Sequence, residues 1–219
     1  MSTFQPSHQS KIKARSGSIS RSLKLLVVCQ QSTPAQARLQ LRKSGDIRDT
    51  ATDMTAEEVR ALLNLEPNAT CGFVRETYVA KQKLAAGALP APFEAERPIG
   101  SALYFMVTPS APVKLHRIRN DQLYHYYLGD PLEVLLLRNG GEHVIVGPDL
   151  KAGHRVQLLI PGNTFHTARV IGSKRWFLGA STEWPGVIPA DVELGKPDVL
   201  TAEFPKVASD VRSFPEPVK

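Results

Sequence analysis

From residue 72 onward the chain is cut into short apolar runs by turn-forming residues, about one run every ten positions. "GFVRETYVA" (72–80) is followed, after a Pro/Ala/Gly-rich stretch from Leu84 to Pro98, by "SALYFMV" (101–107). "VKLHRIR" (113–119), "QLYHYYL" (122–128), "LEVLLLR" (132–138) and "HVIVG" (143–147) come next, then "RVQLLI", "TFHTARV" and "RWFLGAS", the last ending at Ser181. Runs of this length are too short for ordinary helices and fit strands. Asn139-Gly140-Gly141 tolerates positive φ and suits a hairpin between its two flanking runs. Seventeen prolines and fifteen glycines supply turns in the number such a chain needs. The pattern predicts an all-β sandwich or barrel.

One helix is expected ahead of the strands, in "DMTAEEVRALLNL" (53–65). Thr55 can cap the free N–H groups and Glu58 can reach back to it, a capping box, with Met54 and Val59 placed for a hydrophobic staple. Val59, Leu62 and Leu63 would line its buried face, and Pro67 would stop it.

Charge divides the chain in two. Residues 1–45 hold eight Lys or Arg and no acid, which leaves 19 basic against 21 acidic side chains in the remainder. The folded part is therefore nearly neutral despite the overall +6, which argues against a nucleic-acid-binding domain. A Ser- and Arg/Lys-rich leader over residues 1–52, free of acids up to residue 45, has the composition of an organelle transit peptide, mitochondrial or plastid. "SLKLLVVCQQSTPAQA" within it also fits a secretory signal, and a plain basic tail, leaving the protein cytoplasmic, is the third reading. The domain is expected over 53–206, with residues 207–219 as a proline-containing tail. No apolar stretch approaches the roughly 18 residues of a membrane span. Cys29 and Cys71 form no zinc-ribbon or disulfide pattern.

Polar groups inside a small barrel are costly unless they bind something or satisfy each other. Strand alternation places His116 with Ile118 on one face, and Gln122 with Tyr124 on one face of the next strand. His116, Gln122 and His166, brought together from three strands, would make a weak divalent-metal site. The bland reading of His116 and His166 is a hydrogen-bonded pair. Asp121 and His125 read either as a general base with its orienting carboxylate or as a turn cap beside an unrelated imidazole, and alternation puts His125 opposite Gln122. Tyr124, Tyr126 and Tyr127 read as barrel wall, with one of them available to a ligand. Arg75, with Glu76 beside it, could grip an anion bidentately or form an inter-strand ion pair.

"LNLEPNATCGFVRETY", "ALYFMV", "HRIRNDQLYHYYLGDPLEVLLL", "IPGNTFHTAR" and "PGVIPADVEL", in this order, resemble the cupin superfamily and more narrowly its cupin-5 branch. The resemblance runs from about Leu62 to Pro205 and implies a double-stranded β-helix, the jelly-roll barrel, with a short N-terminal helix. Against the general metal motif, His116, Gly129, Pro161 and His166 match. Ile118 stands at the second histidine and Gln122 at the glutamate. Against the branch's own pattern, His116, Arg117, Asp121, His125, Arg75, Glu76 and Tyr78 match. Gln122 and Tyr124 replace Glu and Trp, and Asn68-Ala69-Thr70-Cys71-Gly72 stands where His-Pro-Glu-Gly-Gly is usual. The resemblance implies a small-molecule pocket inside the barrel, for a polar metabolite such as a sugar derivative or a nucleotide-like anion. An isomerase, epimerase or lyase would work there by proton transfer through His116 or His125 with Asp121. Arg75, Glu76, Gln122, Tyr124, Tyr126 and Arg117 would contact substrate. The alternative is a binding or structural cupin without turnover. A homodimer is expected, because pairing of the long early strands would cover exposed edges.

Overall fold

A computed structural model describes residues 54–173 and 175–214; the expectations for the leader fall outside them. Helix α1 (Ala56–Leu63) precedes strands β1 (Glu66–Pro67), β2 (Phe73–Val79), β3 (Lys83–Leu84), β4 (Arg97–Pro98), β5 (Ser101–Val107), β6 (Val113–Ile118) and β7 (Asp121–Gly129). Strands β8 (Leu132–Leu136), β9 (Glu142–Val146), β10 (Gln157–Ile160), β11 (His166–Val170), β12 (Phe177–Trp184) and β13 (Val192–Leu194) follow, then helices α2 (Pro197–Glu203) and α3 (Ala208–Ser213).

The longer strands form two facing sheets, ordered β1-β2-β5-β12-β7-β10 and β13-β6-β11-β8-β9; β3 and β4 pair separately. Every pairing in the two large sheets is antiparallel. This is the double-stranded β-helix of a jelly roll. Its interior is filled by Phe105, Val107, Val113, Tyr124, Leu132, Val134, Leu136, Leu158, Ile160 and Phe177, contributed by strands of both sheets. At about 1.5–3 kcal/mol for each large apolar side chain taken from water, this interior is the main favourable term holding the sheets together.

The outer faces are covered differently. Helix α1 lies on the six-stranded sheet through Val59, which packs with Leu65, Met106, Trp176 and Leu178. Its capping box is made: Thr55 Oγ1 accepts from the Glu58 N–H at 3.2 Å, and the Glu58 carboxylate accepts from the Thr55 N–H at 2.7 Å. The helix ends earlier than the expected stop at Pro67, because Asn64 takes a left-handed conformation (φ 51°, ψ 51°) as C-cap. Leu62 points to solvent, and Leu65, beyond the helix, takes the buried place.

The expected tail over 207–219 is corrected for residues 207–214; residues 215–219 lie outside the described residues. Val207, Val211 and Phe214 are buried against Leu115, Leu135, Leu137 and Leu200, so the C-terminal helices roof the five-stranded sheet through Phe214. Three prolines near the end of the chain had suggested otherwise, but α3 fits between Pro205 and Pro215. Gly129 closes β7 at φ +88°; a Cβ there would lie 2.3 Å from the Trp176 carbonyl oxygen, so only glycine fits both the backbone and the space.

A buried ion pair ties β4 to the segment between β12 and β13. Arg97 and Asp191 are 1% and 2% exposed, and the Arg97 Nη1 to Asp191 Oδ2 distance is 2.8 Å. The same oxygen accepts from the Ile188 N–H at 3.0 Å, so the pair also fixes the course of residues 188–191. Losing one partner of such a pair strands the other charge and costs about 3–5 kcal/mol, whereas replacing both by apolar groups is often neutral. Arg97→Met should therefore lower the stability measured by urea unfolding by about that amount, and the double variant Arg97→Met/Asp191→Leu should recover most of it. A single variant within about 1 kcal/mol of the parent would show that the pair does not clamp this segment.

Candidate functional site

A cavity of about 340 Å³ opens between the sheets at one end of the barrel. It is walled by β2, β5, β6, β7 and β12 and covered on one side by Val187, Ile188, Pro189 and Val192. Strand alternation decides which side chains enter it. Val74 and Glu76 of β2, Ser101 and Leu103 of β5, Gln122 and Tyr124 of β7, and Ser181 and Glu183 of β12 all line it.

His116 enters the wall at a bulge. Between the pairs His166–His116 and Ala168–Val113, β6 carries one residue more than β11, so Val113 and His116 both turn inward. Its Nδ1 is 2.7 Å from the Lys114 carbonyl oxygen. A carbonyl can only accept, so Nδ1 carries the proton and Nε2 is left as a lone pair. That nitrogen stands 4.0 Å from the Cys71 Sγ on the cavity wall. Burial pushes the His116 pKa down to about 4 against the opposing effect of the Lys114 carbonyl, so the ring is neutral at pH 7.

His166 repeats the arrangement one strand away. Its Nδ1 donates to the Thr164 carbonyl at 3.2 Å, and its Nε2 accepts from the Tyr124 hydroxyl at 3.1 Å. The two rings are 4.3 Å apart between centroids, and burial together with the neighbouring His116 drives the His166 pKa well below the usual range. Burial also raises the Cys71 thiol to about 11 and the Tyr124 phenol well above its ordinary value, so both keep their protons.

Glu183 is the functional candidate that the sequence reading missed. It sits opposite Gln122 across the β12–β7 pairing and is 3% exposed. One carboxylate oxygen accepts from the Ser101 hydroxyl at 2.7 Å and the other from the Ser181 hydroxyl. Burial raises its pKa, partly offset by these two serines. The available signal was alternation: β12 continues to Trp184 instead of ending at Ser181, which places Glu183 on the same inward face as Ser181.

The other expected residues are dispersed. Glu76, Gln122, Tyr124 and His116 line the cavity. Asp121 and His125 are not joined: the Asp121 carboxylate accepts from the Gly162 N–H at 2.7 Å, holding the turn before β11. The imidazole of His125 faces the other side of β7, bonded to Thr182 Oγ1 and Gln157 Nε2 at 3.0 Å each. Arg75 lies on the opposite face of β2 from Val74 and Glu76, so it does not line the cavity as an anion grip there would require. Arg117 also faces away, paired with Glu193 at 2.8 Å and lying over the Phe165 ring. Tyr126 donates to the Gly129 carbonyl at 2.8 Å and packs against Phe177, below the cavity.

The donors do not fit a resident metal. Ile118 fills the wall beside His116, the Nε2 lone pair of His166 is taken by Tyr124, and the Gln122 amide is turned toward Ser181 at 3.5 Å. Among the described residues no three His, Cys, Asp or Glu side chains are grouped to hold an ion.

The neutral His116 has a measurable consequence for stability. An unfolded chain takes up this proton near the ordinary value of 6.5, the folded chain only near 4. Between those values the unfolded state binds more protons, so stability falls as pH falls through the window and is retained above it. At about 1.4 kcal/mol per pKa unit, His116 should remove roughly 3 kcal/mol from urea-unfolding stability between pH 7 and pH 4, with His166 acting in the same direction. His116→Gln should flatten that dependence; an unchanged slope would place the acid sensitivity elsewhere.

Comparison with known proteins agrees with this architecture. The sequence model of the family described as "Cupin superfamily (DUF985)" matches residues 57–195. No curated protein matches the chain. Among solved structures, a hypothetical protein from Leishmania major superposes with a TM-score of 0.68 at 22% identity, covering 74% of this chain and 99% of that one. A protein from Shewanella oneidensis superposes with a TM-score of 0.64 at 24% identity, covering 75% and 99%. With the family match spanning more than half its length and the barrel described above, this chain belongs to the cupin superfamily, in its DUF985 family.

Proposed function

We propose that the barrel interior binds a small, hydroxylated carbonyl metabolite and moves a proton on it, as an isomerase or epimerase does. The observation that carries this reading is the His116 tautomer: a buried imidazole whose Nδ1 is committed to a backbone carbonyl and whose Nε2 lone pair is directed to a cavity-lining residue. With a pKa of about 4, His116 has the base strength of a carboxylate and is deprotonated throughout the physiological range. Carboxylate-strength bases remove protons α to a carbonyl when donors stabilise the developing oxyanion. Here Nε2 would take the proton from carbon, the electron pair would move onto the carbonyl oxygen, and the Gln122 amide is a donor on the same wall. Return of the proton from imidazolium to the same or the adjacent carbon completes epimerisation or isomerisation.

A nucleotide-like or anionic substrate is disfavoured, because among the described residues no Lys or Arg lines the cavity and two carboxylates do. Association with a second copy belongs to the same proposal. The outer face of the six-stranded sheet leaves Tyr78, Tyr127 and Leu159 exposed beyond the area that α1 covers. A metal-free, non-catalytic binding cupin is the competing reading, favoured by Ile118 and Gln122 at positions where the family pattern has stronger groups.

The test is exchange of substrate C–H for deuterium in heavy water across a panel of aldoses, ketoses and amino sugars. His116→Gln should slow exchange by about 10²-fold or more while ligand binding persists. The pH profile of kcat/KM should fall on the acid side with a midpoint near 4, because the neutral imidazole is the active form. Exchange that survives His116→Gln, or an acid limb near the ordinary histidine value, would overturn the assignment. Saturable binding with no exchange on any member of the panel would establish the binding protein instead.

A further inference from the structure

We infer that the occupant of this cavity carries a protonated amine, and that Glu183 is the group that receives it. The inference rests on the cavity being the ligand site and is independent of proton transfer by His116.

Glu183 is 3% exposed, and the groups that meet its carboxylate are two serine hydroxyls, Ser101 and Ser181. Among the described residues it has no ion pair with Lys, Arg or His. The contrast with Asp191 is instructive. That carboxylate, equally buried, has Arg97 at 2.8 Å. Burying a carboxylate without a cation costs several kcal/mol, and the molecule that supplies the cation recovers part of that cost.

The rest of the wall offers nothing that could supply it from within. Glu76 adds a second carboxylate, and among the described residues no Lys or Arg lines the wall. Both His116 and His166 spend Nδ1–H on backbone carbonyls, so neither ring supplies a cation; Nε2 of His166 meets the Tyr124 hydroxyl and Nε2 of His116 faces Cys71 Sγ. A cavity of one sign, bounded by low-dielectric walls, concentrates ions of the other sign. An entering anion would meet two carboxylates, and a neutral polyol would leave Glu183 without a counter-charge. An ammonium group satisfies it through charge-assisted hydrogen bonds, which are roughly twice as strong as neutral ones.

Size narrows the class further. About 340 Å³ lies at the low end of small-molecule sites, which suits one sugar ring or a short amino alcohol. Gln122 presents an amide directly opposite Glu183, and the Phe105 ring forms an apolar floor. The ligand class is therefore a small hydroxylated primary amine, such as a hexosamine.

Calorimetric titration of the full-length protein at neutral pH with glucosamine, glucose and glucuronate tests this on matched ring sizes, with ethanolamine as the minimal ammonium probe. Glucosamine should bind at least about tenfold more tightly than glucose, a difference of about 1.4 kcal/mol, and glucuronate should bind most weakly. Glu183→Gln should abolish the preference for the amine while leaving residual sugar binding. The comparison among ligands on the unsubstituted protein stands even if that variant does not fold. Equal or tighter binding of glucose or glucuronate, or no binding of either amine at millimolar concentration, overturns the inference. Deuterium exchange into a neutral sugar without an amine preference would sink this inference and leave the proton-transfer reading intact. An amine preference without exchange would do the reverse.

Discussion

The register of β12 between β5 and β7 is the constraint on which the rest of the barrel interior depends. Antiparallel pairing on both sides of one central strand stacks side chains into rows across the sheet. Ser101, Glu183 and Gln122 form the outermost row, Leu103, Ser181 and Tyr124 the next, and Phe105, Gly179 and Tyr126 the third. Polarity falls from row to row, from a carboxylate at the open end to aromatic rings at the base. A slip of β12 by one residue would break every row and turn Glu183 and Ser181 outward. The cavity is thus a property of the pairing, and its chemistry follows from which residues the register selects.

The second determinant is local. The bulge in β6 and the chain reversal before β11 bring a backbone carbonyl two residues upstream to Nδ1 of each inward histidine. Backbone geometry therefore chooses the tautomer, and burial fixes the neutral state. Both rings consequently present acceptors. One is used by Tyr124, which explains why a large phenol is tolerated in the interior, and the other faces Cys71 Sγ on the cavity wall.

Much of the fold was legible from sequence, because strand periodicity and turn residues act over short distances. The hairpin at Asn139-Gly140-Gly141 has the positive φ angles that its residues allow, and the Thr55–Glu58 box forms as expected. What escaped was non-local. Glu183 lay two residues past the expected end of its strand, and its meaning came from Ser101 and Gln122, which are distant in the chain. Asp121 and His125 looked like partners because they are four residues apart, but alternation sends them to the outside, where a turn and a neighbouring strand claim them. Arg75 read as an anion grip or an ion-pair partner without a face assigned to it, and its neighbour Glu76 has the inward face. The Arg97–Asp191 pair spans 94 positions and leaves no local trace.

The apolar packing of this molecule is divided among an interior cluster and two outer ones, under α1 and under the C-terminal helices. None of the three draws on Ser101, Gln122 or Glu183. Cohesion and recognition are thereby assigned to different residues. Such a barrel can exchange the occupants of its outermost row, and with them the ligand it accepts, while the structural framework stays intact. That separation gives a physical reason why a shared fold says little about what any one member binds.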